Sequence, residues 1–166
     1  MSSSARSIKH GTFVIERKFD HEPAFVYWAW TDPEAKARWF NGPRDKWTEA
    51  EREMDVRPGG RERVIGKFVD GSESRFEAVY FDIVPDRRLV YAYDMYFKGN
   101  KLSVSLATIE FVKATHGTKL IITESGAYLD GHDDAGSRER GTLGLMDNLA
   151  RALNGAIEAT ETIVGN

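Results

Sequence analysis

Apolar and polar residues alternate along much of the chain, and this period of two residues predicts β-strands. Gly and Pro turns separate the segments, most clearly at Asp70-Gly71, Pro85 and His116-Gly117. No stretch between these turns has the length and period of a helix, so we expect a meander of antiparallel strands and not βαβ units. The predicted strands are Thr12–Asp20, Arg61–Val69, Arg75–Val84, Leu89–Phe97, Leu102–Ala114 and Thr118–Ser125.

Two helix starts follow the first strand in close succession. Pro23 stands where the missing N–H of proline costs nothing, at the first position of a helix through Trp30. Asp32 is then placed as an N-cap, with Pro33 directly after it. We therefore predict two short helices, the second ending near Phe40, before Gly42-Pro43.

The period changes again near the end of the chain. After a polar loop over Leu129–Gly136, a helix is predicted from about Ser137 to Ile163. Met146, Leu149 and Leu153 share one face of it, in the spacing of an amphipathic helix. At about 1.5 Å per residue such a helix is long enough to cross a whole sheet.

The order of these elements predicts an α+β fold, with a curved antiparallel sheet, two short helices after the first strand and one long C-terminal helix. The first strand most simply pairs with the last. An antiparallel sheet twists and curls, so a helix across its concave face does not fill all the space beneath it. We therefore expect a cavity between sheet and helix, the usual place for a small ligand.

Length and composition set limits on the class of protein. The 166 residues suit one domain, which we place at residues 11–166 after a disordered N-terminal tail at residues 1–10. The first residues are polar and no segment approaches the length of a membrane span, so a cytoplasmic protein without membrane association is expected.

Several kinds of chemistry are disfavoured. The chain has no cysteine, which excludes disulfides, thiolate nucleophiles and cysteine-ligated metals. Its net charge of −3 argues against a general nucleic-acid binder. It has neither a Rossmann fingerprint nor a phosphate loop, so no cofactor is predicted. His132-Asp133-Asp134 are neighbours in one loop and seldom converge on an ion, so no metal site is predicted either.

Several motifs together resemble a known family. They are Phe13–Asp20, Trp28-Ala29-Trp30-Thr31-Asp32-Pro33-Glu34, Arg38-Trp39-Phe40, Asp55–Gly60, Phe76–Tyr80 and Ile83–Val90. In their order and spacing they are similar to homologues of the activator of heat-shock-protein ATPase, in the SRPBCC (START-like, helix-grip) superfamily. The resemblance extends from about Phe13 to Leu153.

The resemblance implies a helix-grip fold with a hydrophobic cavity between the sheet and the C-terminal helix. Lipid carriers, hormone carriers and polyketide cyclases share this superfamily, so the fold alone does not define an activity. One position departs from the pattern. Members often carry Gly-Trp early in the last helix, where this chain has Gly141-Thr142.

Strand parity selects the side chains that can face the cavity. Tyr91, Tyr93 and Met95 share one face of their strand. Leu120, Ile122 and Glu124 share a face of the last strand, which makes Glu124 a candidate polar anchor or general base. The alternative interpretation is that the tyrosines are core and that Glu124 is solvated near a strand end.

The four tryptophans lie close together, between Trp28 and Trp47. Two interpretations are open for these tryptophans. Their rings line a ligand entrance, or they anchor the short helices on the sheet. We favour anchoring for Trp28 and Trp39, and an exposed or entrance position for Trp47. The complete set of candidate ligand-binding residues is Trp28, Trp39, Trp47, Tyr80, Tyr91, Tyr93, Met95, Leu120, Ile122, Glu124, Met146 and Leu149.

Three hypotheses for function remain open. The first is binding of a small hydrophobic molecule in the cavity. The second, which rests on the family name alone, is a co-chaperone that stimulates a heat-shock ATPase in a stress response. The third is a polyketide cyclase-like enzyme. No catalytic residue is assigned and enzymatic activity is left open; a homodimer is a further expectation for a small sheet protein.

Overall fold

The computed structural model describes the backbone of residues 6–164 and the side chains of residues 6–155. The chain has the predicted α+β order, with two short helices after the first strand and a long helix at the end. The elements are β1 (Ile8–Phe19), α1 (Pro23–Thr31), α2 (Pro33–Ala37), β2 (Trp47–Met54), β3 (Arg61–Phe68), β4 (Glu73–Val84), β5 (Arg88–Phe97), β6 (Asn100–Lys113), β7 (Thr118–Leu129) and α3 (Ala135–Val164).

The strands form one seven-stranded sheet in the order β1-β7-β6-β5-β4-β3-β2. Every neighbouring pair is antiparallel, as predicted for a meander. β1 pairs with β7, which places Ile15 opposite Ile122 and confirms that the first strand lies beside the last.

Two predicted boundaries on the β1–β7 pair are wrong. β1 begins at Ile8, so residues 8–10 belong to the sheet and not to a disordered tail; residues 1–5 lie outside the described part. β7 continues to Leu129, which pairs with Ile8. Gly126 and Ala127 weaken the strand signal in the sequence, but pairing with β1 supplies their backbone with hydrogen-bond partners.

The sequence did not predict β2. Its segment Trp47–Met54 contains three glutamates and an arginine, with a β-bulge between Glu49 and Glu51. These are features of edge strands, where charges and bulges discourage pairing with other chains. They also disrupt the alternation of apolar and polar residues from which a strand is predicted.

The two short helices begin where the sequence predicts. The side chain of Asp32 caps α2 by accepting a hydrogen bond from the backbone N–H of Ala35 at 2.9 Å. α2 ends at Ala37, earlier than predicted, and Trp39 and Phe40 follow it in a turn.

The core lies between the concave face of the sheet and the helices. Met146, Leu149 and Leu153 bury the apolar face of α3 in it. At one end, the Trp30 ring of α1 packs 4.8 Å from the Trp39 ring, centroid to centroid. Within residues 6–164, no helix is both long and apolar enough to cross a membrane.

A buried ion pair joins α2 to the sheet. The Lys36 ammonium lies 2.8 Å from Oε1 of Glu62 on β3, and both side chains are almost completely buried. The hydroxyl of Tyr80, on β4, donates a second hydrogen bond to the same carboxylate oxygen. Burial lowers the pKa of Lys36, and the carboxylate of Glu62 opposes that shift.

Aromatic rings complete the surroundings of the ammonium. Its Nζ lies 4.6 Å from the centroid of the Phe40 ring and 5.5–5.9 Å from those of Trp30, Phe76 and Tyr91. A cation is attracted to the faces of such rings, most strongly where water is excluded. Lys36 therefore holds α2 and the rings after it against the sheet.

We expect Lys36→Met to lower the free energy of unfolding by about 3–5 kcal/mol, because it leaves a carboxylate buried without its cation. The triple variant Lys36→Met/Glu62→Leu/Tyr80→Phe removes all the polar groups together. It should recover most of the loss, since well-packed apolar residues often replace a buried ion pair at little cost. Urea denaturation of each variant measures both changes.

Lys113→Met is the matched control, because it removes a lysine whose ion pair with Glu22, at 2.7 Å, is exposed. Its effect should be much smaller, as is usual for surface pairs. Equal effects of Lys36→Met and Lys113→Met would contradict the anchoring role of the buried pair.

Candidate functional site: a cavity between the sheet and α3

A cavity of about 340 Å³ lies between the concave face of the sheet and the first half of α3. Strands β3 to β7 form its floor, α3 covers it, and the segment from α1 to Trp47 forms its end wall. The inner lining is buried, whereas residues 41, 42, 141 and 142 are partly or fully exposed and mark the opening.

The floor contains the side chains that strand parity selected. Tyr91, Tyr93 and Met95 of β5 line the cavity, and so do Ile122 and Glu124 of β7. The predicted inward face of each of these two strands is therefore confirmed.

The end wall is aromatic. Trp30, Trp39 and Phe40 all line the cavity, and the ring of Phe40 packs edge-on against Phe76 at 4.9 Å. The Trp39 indole N–H donates to the backbone carbonyl of Ala29 at 2.9 Å, which holds the ring in place. Trp39 thus both anchors the short helices and forms part of the wall.

Trp47 occupies the entrance position expected for it. The indole packs against Gly66, where any side chain would overlap the ring. Its N–H donates to the Ser74 hydroxyl at 3.0 Å. The half-buried ring is held by two neighbouring strands at the rim of the cavity.

Two small residues of α3, Gly141 and Thr142, leave space between the helix and the sheet. Gly141, Thr142, Leu145 and Met146 form the cover of the cavity. A Cβ added to Gly141 would meet nothing within 4 Å. Thr142 stands where the family resemblance implies a tryptophan, so a large ring is replaced by a small side chain at the opening.

A polar cluster interrupts the apolar lining. The Tyr93 hydroxyl donates to Oε2 of Glu124 at 2.9 Å and accepts a hydrogen bond from Nη1 of Arg138 at 2.7 Å. Arg138, on α3, also donates to the Ser103 hydroxyl and to the Asp133 carboxylate, at 2.8 and 2.9 Å. These partners satisfy the guanidinium and hold it at the edge of the cavity.

Burial raises the pKa of Glu124; hydrogen bonding from Tyr93 and the charge of Arg138 oppose the shift without cancelling it. Its side chain is only 5% exposed and lies in the middle of β7, so the interpretation of a solvated residue near a strand end is wrong. A carboxyl group that protonates more readily than usual is suited to hold a polar group or to accept a proton.

Tyr91 supplies a second polar group. Burial, followed by the nearby Glu124 carboxylate, raises the pKa of its phenol, so the group remains protonated at neutral pH. Among the side chains that the structure describes, its hydroxyl has no hydrogen-bond partner. Tyr91 is therefore able to donate to a polar atom inside the cavity.

Four candidate residues lie outside the cavity lining, and their assignment to the site is corrected. Trp28 is on the outer face of α1, 37% exposed and stacked on Phe25. Tyr80 lies beneath α2 with Glu62. Leu120 and Leu149 face inward but fill the core. Parity gives the face of a strand or helix, but not the position along it where the cavity ends.

Other lining residues were not predicted. Val64 and Phe76 have the inward parity of their strands, and that signal was available in the sequence. No pattern in the sequence identifies Arg138 as a cavity residue, because only the packing of α3 over β5 brings it to Tyr93. Within the described residues, no group of three or more His, Asp or Glu side chains is arranged to hold a metal ion.

Comparison with protein families finds one match over most of the chain. The family model described as Activator of Hsp90 ATPase homolog 1-like protein matches residues 20–154. A search of curated proteins found no match.

Solved structures support the same relationship. A protein from Rhizobium leguminosarum is 41% identical, with a TM-score of 0.85 over 90% of this chain and 98% of that one. One from Rhizobium loti is 39% identical, with a TM-score of 0.80 over 88% and 99%. An AHSA1-like protein from Aeromonas hydrophila, 24% identical, has the same fold with a TM-score of 0.70 over 88% of this chain and 94% of that one.

The raised pKa of Glu124 predicts a pH-dependent effect of Glu124→Gln. Below the ordinary value of 4.5 the carboxyl is protonated in both folded and unfolded chains. Above it the unfolded chain ionises first, so the wild type loses stability as pH rises through the folded-state pKa. The amide of Gln does not titrate. The stability of Glu124→Gln relative to wild type should therefore increase from below pH 4.5 to about pH 7.

Urea denaturation across that range measures the difference, with Glu53→Gln on the exposed edge strand as control. A difference that stays constant with pH, or that decreases toward neutral pH, would show that Glu124 does not titrate as a buried carboxyl.

Proposed function

We propose that this chain, which belongs to the family of Activator of Hsp90 ATPase homolog 1-like proteins, binds a small, mainly apolar molecule in the cavity beneath α3. The observation that carries the proposal is an open space of about 340 Å³ walled by aromatic and aliphatic side chains. Ligand sites in proteins are typically concave, apolar and roughly 300–1,000 Å³ in volume. This cavity is near the lower limit, so it suits a ligand of modest size.

Burial of apolar ligand surface would supply most of the binding energy. Each Å² removed from water contributes roughly 25 cal/mol. Trp30, Trp39 and Phe76 offer rigid ring faces that lose little conformational entropy when a ligand packs on them. Their arrangement is already held by protein contacts, which reduces the cost of ordering the site on binding.

Polar groups in the floor would orient the ligand. The Tyr91 hydroxyl is available as a donor, and the Glu124 carboxyl accepts from Tyr93 with its second oxygen free for another partner. A neutral hydroxyl or carbonyl group on the ligand fits these groups. An apolar molecule with one such group is therefore the preferred ligand of the inner cavity.

The two alternatives rank lower. A co-chaperone role rests on the family relationship alone, since no feature of the described surface specifies an ATPase partner. A polyketide cyclase-like activity is favoured by the pairing of Glu124 with Tyr93 at one cavity, but the cluster indicates no particular reaction. Stimulation of a purified heat-shock ATPase equally by wild type and by a variant with a filled cavity would favour the co-chaperone role.

Thr142→Trp tests the cavity directly. An indole at this position should fill part of the space beneath α3 and lower the affinity for decanol, a neutral apolar probe, by about tenfold or more. Isothermal titration calorimetry measures the affinity. The negative heat-capacity change that marks apolar burial should accompany binding to the wild type.

Leu143→Trp is the matched control, because Leu143 is the next residue of α3, is exposed and does not line the cavity. It should bind decanol like the wild type. Decanol binding that survives Thr142→Trp, or a wild type that does not bind decanol, would contradict the proposal. Native mass spectrometry of the purified wild type gives an independent measurement, since it detects any ligand that co-purifies.

A further inference from the structure

A groove on the surface continues from the opening of the cavity. It runs between the segment at residues 37–44 and the outer side of α3, with a volume of about 1,080 Å³. Asn41, Gly42, Gly141 and Leu145 line both the groove and the cavity. The groove and the opening of the cavity are therefore adjacent, with these four residues between them.

The groove is basic, in a chain whose net charge is −3. Arg38, Arg44 and Arg151 line it from three separate places: the end of α2, the loop after it and α3. No Asp or Glu is among the described residues that line it. Three like charges along one groove, with no described carboxylate in its lining, create a positive potential that attracts anions.

The arginines are accessible to a ligand. All three are exposed. Among the side chains that the structure describes, Arg38 and Arg44 form no ion pair, and Arg151 hydrogen-bonds only to the neutral amide of Asn148. Their guanidinium groups therefore keep donors free, in the planar arrangement that matches carboxylate and phosphate oxygens.

The inner cavity, unlike the groove, disfavours an anionic group. Its walls are apolar, and its floor carries the Glu124 carboxyl. The charge of Arg138 at the edge is already engaged by Asp133, Tyr93 and Ser103. An anionic group is disfavoured inside, both because burial removes its hydration and because Glu124 repels it when ionised.

We propose that the ligand is amphipathic, with its apolar body in the cavity and an anionic group, such as a carboxylate or phosphate, held in the groove by Arg38, Arg44 and Arg151. This inference rests on the proposed function and names the class of ligand. The arginines select for a negatively charged end at the opening, whereas the cavity selects for apolar volume.

Two probes of equal chain length distinguish the role of the arginines from that of the cavity. They are decanoate, which is anionic at neutral pH, and decanol, which is neutral. The wild type should bind decanoate more tightly than decanol. The triple variant Arg38→Gln/Arg44→Gln/Arg151→Gln should lower decanoate affinity about five- to tenfold, as expected for three exposed charge contacts. Its affinity for decanol should remain within about twofold of the wild type. Added salt should weaken decanoate binding to the wild type and leave decanol binding unchanged.

The control variant Lys9→Gln/Lys67→Gln/Arg87→Gln removes the same charge from exposed positions outside the groove. It should leave the preference for decanoate unchanged; an equal loss in this variant would assign the preference to net charge and overturn the inference. Decanol binding without preference for decanoate would also overturn it, while the proposed function stands. If the wild type does not bind decanol, or if decanol still binds to Thr142→Trp, the proposed function itself fails.

Discussion

The ion pair between Lys36 and Glu62 is the interaction on which the rest of the site depends. A lysine and a glutamate so completely buried pay a large desolvation cost, which only close pairing and further hydrogen bonding offset. That requirement places α2 at one position on β3. Trp39 and Phe40 come shortly after α2 in the chain. The ion pair between Lys36 and Glu62 therefore also determines the position of the aromatic end wall of the cavity.

The cavity itself results from a mismatch between two surfaces. The sheet is curved and presents large rings, whereas α3 presents Gly141 and Thr142 above them. A closely packed interior normally fills such a space, because each void forfeits dispersion contacts. Farther along α3, Leu149 and Leu153 do fill it and form ordinary core. The same helix thus covers the core with its middle turns and leaves a cavity under its first turns.

Charge is distributed along the axis of this space. The inner floor holds a carboxyl group that protonates more readily than usual, and the outer groove is lined by three exposed arginines. The outer part of this space is therefore positive and its interior apolar. This pattern comes from the side chains of this chain and not from the fold as such, because one fold accommodates unrelated chemistry.

The sequence by itself determined the class of fold, the order of the elements and the inward faces of β5 and β7, because hydrophobic period, capping and turn residues are local properties. It predicted Tyr91, Tyr93 and Glu124 correctly as cavity residues on parity alone. Only the tertiary structure decided where along each face the cavity ends, and so removed Tyr80 and Leu149 from the site. It also revealed the edge strand β2 and the contacts of Arg138 and Lys36, because these depend on which distant segments pack together, and no local pattern records that.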